Sequence, residues 1–309
     1  MFFQFSVWLA AGIIATPTSY GGNGHGPKRL IIDTDLIDFV DDPLAIGLAN
    51  VFQSRAEANV LGIVSSVFSR YVPPAIDAIN TYYSYGDIPV AIQKPVDNTT
   101  RNPTFPQDNE YLTGLTLGFP QDIGDGSNTT EPVALYRRIL ESSPNHSITI
   151  ANIGFHDNLY NLLLSPPDKI SSLSGPELVK KKIAELVVQG NPNGISFNFE
   201  GNDPSTVLFG RRLTTELDIK TNPVAYAAAT SIGVDNVHES WDSTAIYYAV
   251  RGLDDAYRFE RKRGEIYFFE NGTAAWNYRS PSRLQRSIDL KINNTTLAGR
   301  LEGLLLSKP

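Results

Sequence analysis

One stretch, residues 29–45, constrains this chain more than any other: Arg-Leu-Ile-Ile-Asp-Thr-Asp-Leu-Ile-Asp-Phe-Val-Asp-Asp-Pro-Leu-Ala. The apolar run Leu30-Ile31-Ile32 reads as a buried strand, and five carboxylates follow it within ten positions: Asp33, Asp35, Asp38, Asp41 and Asp42. Pro43 then opens a helical pattern with Leu44, Ile46, Leu48 and Val51 apolar. A strand, an acidic loop and a helix start place the carboxylates at the carboxyl edge of a sheet, where open α/β folds put their sites. Like charges packed this closely repel unless a cation lies among them, and hard oxygen donors favour Ca²⁺ or Mg²⁺. Taken singly, each Asp has a blander reading. Asp42 could be an N-cap before Pro43, and Asp38 a solvated side chain. The cluster as a whole is not explained that way.

The rest of the chain alternates strand and helix patterns. After a helix over 43–54 comes a second buried strand, Asn59–Ser66, then a helical spacing over 73–86 with Gly86 as its stop, then a short strand Ile88–Ile92. Residues 94–130 are rich in Pro, Asn, Thr and Gly and read as a long irregular lid or insertion. A helix over 131–142, a strong strand over 147–154, a helix from Asp157-Asn158 to Leu164 and a strand over 182–188 follow. Helical patterns recur over 204–213, 222–232, 240–251 and 295–306, with strand-like runs at 265–269 and 286–292. No repeat or linker interrupts them. The expected fold class is α/β: a single domain over 28–309 with a mostly parallel central sheet flanked by helices.

Addressing signals precede that domain. Residues 2–15 are apolar and uncharged, and turn-forming residues follow, so residues 1–20 are expected to be a signal peptide cleaved near Ala15 to Tyr20. Six sequons begin at Asn98, Asn128, Asn145, Asn271, Asn293 and Asn294, which fits a glycosylated, secreted product. The chain has 0 cysteines, which removes thiol chemistry and Cys-based zinc sites. A formal net charge of −7 argues against a polymeric nucleic acid as partner and leaves a small nucleoside open.

The run Ile32-Asp33-Thr34-Asp35 followed by Asp41-Asp42-Pro43-Leu44-Ala45 resembles the signature of the inosine/uridine-preferring nucleoside hydrolases. Three further stretches match that family in order: Ile148–Leu159, Phe197-Asn198-Phe199 with Asp203-Pro204, and Trp241-Asp242. The likeness spans about residues 28–305 and is of the fungal secreted, Trp-Asp kind. It implies cleavage of a nucleoside's N-glycosidic bond by water at a bound Ca²⁺. The implied ligands are Asp35, Asp42, Asp242 and the backbone carbonyl of Ile153. Asp35 would also be the general base, Asp41 and Asn198 would hold the ribose, and Asp33 would buttress the loop. Trp241 stands where some members carry a proton-donating His. A Trp stacks on a purine, which implies a purine preference. His25, His146, His156 and His238 are read as structural or solvated, His146 and His238 within loops.

The chain also departs from the family pattern. The spacer between Asp35 and Asp41 is longer than the common form, with an extra carboxylate at Asp38. Val67-Phe68-Ser69-Arg70-Tyr71 lacks the usual ribose-contacting Asn, and Ser196 replaces a Glu, with Glu200 nearby in another register. Two other readings therefore stand beside the hydrolase. One is a secreted nucleoside- or sugar-binding protein with catalysis reduced or lost. The other is a dehalogenase-like phosphotransferase using Asp33, for which no downstream Lys and Gly-Asp pair makes a convincing match and which leaves Trp241-Asp242 without a role. The sequence leaves open whether copies of the chain associate.

Overall fold

A computed structural model describes residues 26–37, 39–96, 109–189, 207–259, 264–268, 274–277, 279 and 285–307. The centre is a five-stranded parallel sheet in the order β3-β2-β1-β4-β5. Its strands are β1 Lys28–Thr34, β2 Ala58–Ser65, β3 Val90–Ile92, β4 Ile148–Asn152 and β5 Ile183–Val188. Helices connect them: α1 Asp41–Ser54, α2 Val72–Tyr82, α3 Glu110–Gly118, α4 Pro132–Ser142, α5 Asp157–Leu164 and α6 Gly175–Lys182. The chain leaves β1 towards β2 on one side, and β4 pairs on its other side. That order reversal opens a crevice at the carboxyl ends of β1 and β4.

Both faces of the sheet are covered, so the strands are apolar on both sides. Leu30 and Ile32 of β1 belong to one core with α1 and α2, while Ile31 belongs to a second with Leu135, Tyr136 and Leu140 of α4 and Leu162 of α5. Helix α1 lies inside the molecule, buried from Asp41 to Phe52. It packs on later elements as well: α8 Pro223–Ile232, α9 Trp241–Arg251 and α10 Asn294–Leu305, which enter with β6 Leu208–Phe209, α7 Arg211–Glu216 and β7 His238–Glu239. Gly47 permits this crowding, because a Cβ there would come within 2.7 Å of Val224 and 3.3 Å of Leu305. Two antiparallel pairs complete the described elements: β8 Tyr257–Phe259 with β11 Ile288–Leu290, and β9 Glu265–Phe268 with β10 Ala274–Asn277.

Several expected boundaries shift. Helix α1 begins at Asp41, with Val40 as its N-cap and no side-chain cap bond, so Asp42 is not a cap. Helix α2 ends at Tyr82, before Gly86; the left-handed turn falls on Ser84 (φ 69°). Helix α3 interrupts the stretch expected to be irregular, and Asn109 caps it by accepting from the Leu112 N–H. Helix α6 was absent from the expectation although Ser174 and Glu177 form a capping box at its start. Within 204–213 the described residues hold a short strand and then a helix only from Arg211. The expected signal peptide and the sequons at Asn98 and Asn271 lie outside the described residues; Asn128, Asn145 and Asn293 are exposed.

One polar anchor holds the α4–α6 layer. The buried guanidinium of Arg137 donates to both carboxylate oxygens of Asp168 (3.0 and 2.9 Å), to Ser165 Oγ (3.0 Å), and to the carbonyls of Ser171 (3.1 Å) and Leu173 (2.9 Å). Arg137→Ala leaves those carbonyls unpaired beside a cavity and is expected to cost about 2–4 kcal/mol of stability. Chemical denaturation of the variant checks this; a loss under about 0.5 kcal/mol would contradict the anchor role.

Candidate active site

The acidic loop leaves β1 at the crevice and returns directly into α1. Asp33, the sixth residue of β1, is fully buried. Its carboxylate accepts from Tyr136 Oη and Asn158 Nδ2, each at 2.8 Å, and its backbone oxygen accepts from the Ile153 N–H at 2.7 Å. Burial pushes its pKa up to about 8 against the pull of those two donors. Asp33 therefore ties β1 to α4, α5 and the end of β4.

Beyond β1 the chain makes a strained turn. Leu36 adopts a left-handed backbone (φ 44°) although it is a buried, branched residue. Such a conformation costs of order 1–3 kcal/mol and persists only where the surroundings impose it. Here its N–H donates to the Asp42 carboxylate, as does the Thr34 hydroxyl. The cap and first turn of α3 hold two further points of the loop: Asn109 Nδ2 donates to the Ile37 carbonyl, and Tyr111 Oη to the Phe39 carbonyl at 3.0 Å. The turn after β4 presses on the same loop. A Cβ at Gly154 would sit 2.4 Å from the Asp35 nitrogen and 2.5 Å from the Thr34 carbonyl carbon, so only glycine admits this approach.

The loop delivers Asp41 and Asp42 as the first two residues of α1, and α9 delivers Asp242 as its second. One carboxylate oxygen from each lies within 4.8 Å of the others, and all three residues are buried. Asp41 accepts from the Asp242 backbone N–H, and the two side chains share a hydrogen bond. Asp35, half-buried, adds its charge to all three. Burial raises the pKa of Asp41 to about 7, with the His238 charge opposing; burial and mutual repulsion hold Asp42 and Asp242 well above the usual carboxylate range. Three buried oxygen donors that repel one another are a donor set that a hard divalent cation fits. The expected ligands Asp42 and Asp242 thus sit together, with Asp41, read from sequence as a ribose contact, as the third member. Asp35 borders them, and Ile153 lies buried one residue past β4. Asp38, Ser196, Asn198 and Glu200 lie outside the described residues.

Aromatic rings flank the carboxylates. Trp241, the first residue of α9, stands edge-on to Phe39 (5.7 Å, 83°) and to His238 (5.6 Å, 81°), and Phe39 and His238 are 5.6 Å apart. Trp241 Nε1 is buried with no acceptor among the described residues. His238 lies in β7 rather than in a loop, and its charge reaches Asp41. Sequence reasoning missed Phe39, His238, Tyr136, Asn109 and Tyr111. Phe39 and His238 carried local signals, each lying two or three residues from a carboxylate or from Trp241. The other three meet the loop only through the tertiary fold.

No family model matches this sequence, and no curated protein matches it either. Solved structures do match in fold. A plant nucleoside hydrolase, the PpNRh1 enzyme, aligns over 91% of this chain and 99% of its own at TM-score 0.57 and 16% identity. An inosine-guanosine nucleoside hydrolase aligns over 90% and 98% at TM-score 0.56 and 14% identity. The type III effector protein XopQ, solved with adenosine diphosphate ribose, aligns over 92% and 96% at TM-score 0.61 and 10% identity. The chain therefore has the nucleoside hydrolase fold.

Asp242→Asn removes one of the crowded ionisable groups, whose ionisation burial and repulsion oppose, while keeping a hydrogen-bonding side chain. In chelator the variant is expected to melt higher than wild type, by on the order of 1–3 °C, because repulsion and desolvation are relieved. Added Ca²⁺ should raise the wild-type melting temperature and leave the variant's nearly unchanged. A variant that melts lower in chelator and still responds fully to Ca²⁺ would contradict a cation site at these carboxylates.

Proposed function

We propose that this protein is a Ca²⁺-dependent hydrolase that cleaves the N-glycosidic bond of purine ribonucleosides to free base and ribose. The observation that carries the reading is the buried Asp41–Asp42–Asp242 cluster with Asp35 at its border, set at the β1–β4 crevice of a nucleoside hydrolase fold. The ion would be held by Asp42 and Asp242, with Asp35, the Ile153 carbonyl and the neighbouring Asp41 completing or bordering the oxygen shell. Once bound, it would offset the carboxylate repulsion, orient ribose hydroxyls and acidify the attacking water.

The chain's own residues do the rest. Asp35, half-buried where the others are buried, takes the proton of the attacking water as general base. Attack at C1′ builds positive charge on the ribose ring, as in glycoside hydrolysis generally, and the surrounding carboxylates stabilise it. Asp41 and Asn198 are the proposed ribose contacts. Trp241 offers a face for the base and a buried indole N–H lacking an acceptor among the described residues, which supports the purine preference. The signal peptide and sequons complete the reading as a secreted, glycosylated enzyme.

A second reading has its own support. Residues 67–71 carry no Asn for the ribose, and a neighbour in fold was solved with adenosine diphosphate ribose, so a binder of a ribosyl ligand with little catalysis competes. Ribose release from inosine, adenosine, guanosine, uridine and cytidine separates the two. The hydrolase reading expects chelator-sensitive release, faster from purines, and a loss of about 10²–10⁴-fold in Asp35→Asn with Ca²⁺ binding largely kept. Ca²⁺ binding without ribose release from any of the five would favour the binder.

A further inference from the structure

The carbonyls of Ile37 and Phe39 lie just ahead of Asp41 and Asp42 in the chain, and each is met by a side chain 72 residues further on. Asn109 uses both ends of its amide. Its Oδ1 accepts from the Leu112 N–H at 2.9 Å, which fixes the amide so that Nδ2 is the end left for the loop. One Nδ2 hydrogen goes to the Ile37 carbonyl. Tyr111 Oη donates to the Phe39 carbonyl and also bonds the Asn109 side chain. A phenol whose hydrogen is given to a carbonyl can only accept elsewhere, so the second Nδ2 hydrogen goes to Tyr111 Oη. Burial and the charges of Asp42, Asp41 and Asp35 hold the Tyr111 pKa well above its ordinary value, so Oη keeps its hydrogen.

The helix carrying these donors is itself fixed. Leu112 and Leu115 are buried, and Thr116 Oγ1 donates to the Tyr71 carbonyl at 3.0 Å. A Cβ at Gly114 would overlap the Tyr226 phenol of α8, and α8 packs on α1, which carries Asp41 and Asp42 at its start. Helices α3, α8 and α1 therefore form one packed block, and two donors from α3 grip the connection that leads from β1 into α1. Repulsion among Asp41, Asp42 and Asp242 favours any movement that spreads them. Before an ion arrives, bonds elsewhere must resist that spreading, and the pair at Ile37 and Phe39 is placed to do so.

Resting on the cation reading above, we propose that Asn109 and Tyr111 are positioning residues for the ion, holding the loop so that Asp41 and Asp42 stay gathered with Asp242. Neither residue is a ligand. Without their bonds the carboxylates spread, and part of the binding free energy of Ca²⁺ goes into gathering them again. The loss falls on Ca²⁺ affinity. The ion-free fold changes little, because relief of repulsion offsets the missing bonds.

Three variants of the full-length protein separate this role from a merely structural one. Asn109→Ser keeps a capping hydroxyl for α3 and drops both Nδ2 hydrogens. Tyr111→Phe keeps the ring and drops the bond to Phe39. Thr116→Val removes the bond of α3 to Tyr71 and touches neither loop carbonyl, so it reports a helix that is only loosened. Ca²⁺ is titrated into each by calorimetry, in one buffer at one pH, and melting is followed in chelator. Asn109→Ser and Tyr111→Phe are each expected to weaken Ca²⁺ binding about 3–10-fold, the effect of losing a hydrogen bond or two. Both should melt in chelator within about 2 °C of wild type. Thr116→Val should bind Ca²⁺ within about twofold of wild type even where it melts lower. Wild-type affinity in both loop variants, or an equal loss in Thr116→Val, would overturn the positioning role and leave the cation reading in place. A wild-type protein that binds no Ca²⁺ would overturn the cation reading and this proposal with it.

Discussion

Like charge held out of water is the constraint on which the rest of this structure turns. Asp41, Asp42 and Asp242 are each buried, and their oxygens approach within 4.8 Å. A carboxylate in that position either takes up a proton or shares a cation, and the elevated pKa values express the first option. Evolutionarily ordinary core positions would be filled by apolar side chains at less cost. The fold instead spends a strained Leu36 backbone, a glycine-only contact at Gly154 and a buried Thr34 hydroxyl on keeping these oxygens together.

Topology explains why the carboxylates meet there. Parallel strands deliver every following loop to one edge, and the reversal of strand order between β1 and β4 leaves room at that edge. Helix α1 starts within the crevice and is buried along most of its length, so its first turn cannot drift. Helix α9 packs against α1 and brings Asp242 and Trp241 to the same place from some 200 residues further along the chain. Asp33 locks the base of the loop through Tyr136 and Asn158, while Asn109 and Tyr111 of α3 hold its far side. The rings of Phe39, His238 and Trp241 then wall one flank.

Much of this was legible in the sequence. The apolar Leu30–Ile32 run before five carboxylates marked both the strand and the site, and the strand–helix alternation marked the parallel sheet. What escaped notice has physical reasons. Helix α3 hides in a Pro- and Asn-rich region, where composition outweighs the cap signal at Asn109. Helix α6 is short and basic, so its capping box spoke more clearly than its hydrophobic pattern. Asp42 before Pro43 looks locally like an N-cap, and only the helical start at Asp41, with Val40 as the cap, shows that the helix has already begun. Tyr136, Asn158 and His238 reach the loop across 103, 125 and about 200 residues, distances that periodicity does not see.

Calorimetric titration of Ca²⁺ into the purified protein near pH 6.5, in buffers of different ionisation enthalpy, tests the central claim most directly. Burial raises Asp41 to about 7 and, with mutual repulsion, holds Asp42 and Asp242 well above the usual carboxylate range, so the ion-free cluster retains protons. A cation favours the charged carboxylates, so binding must expel those protons, and the release must shrink as the pH is raised beyond the elevated values. The account predicts one bound ion with net proton release. No Ca²⁺ binding, or binding with no dependence on buffer enthalpy, would contradict it.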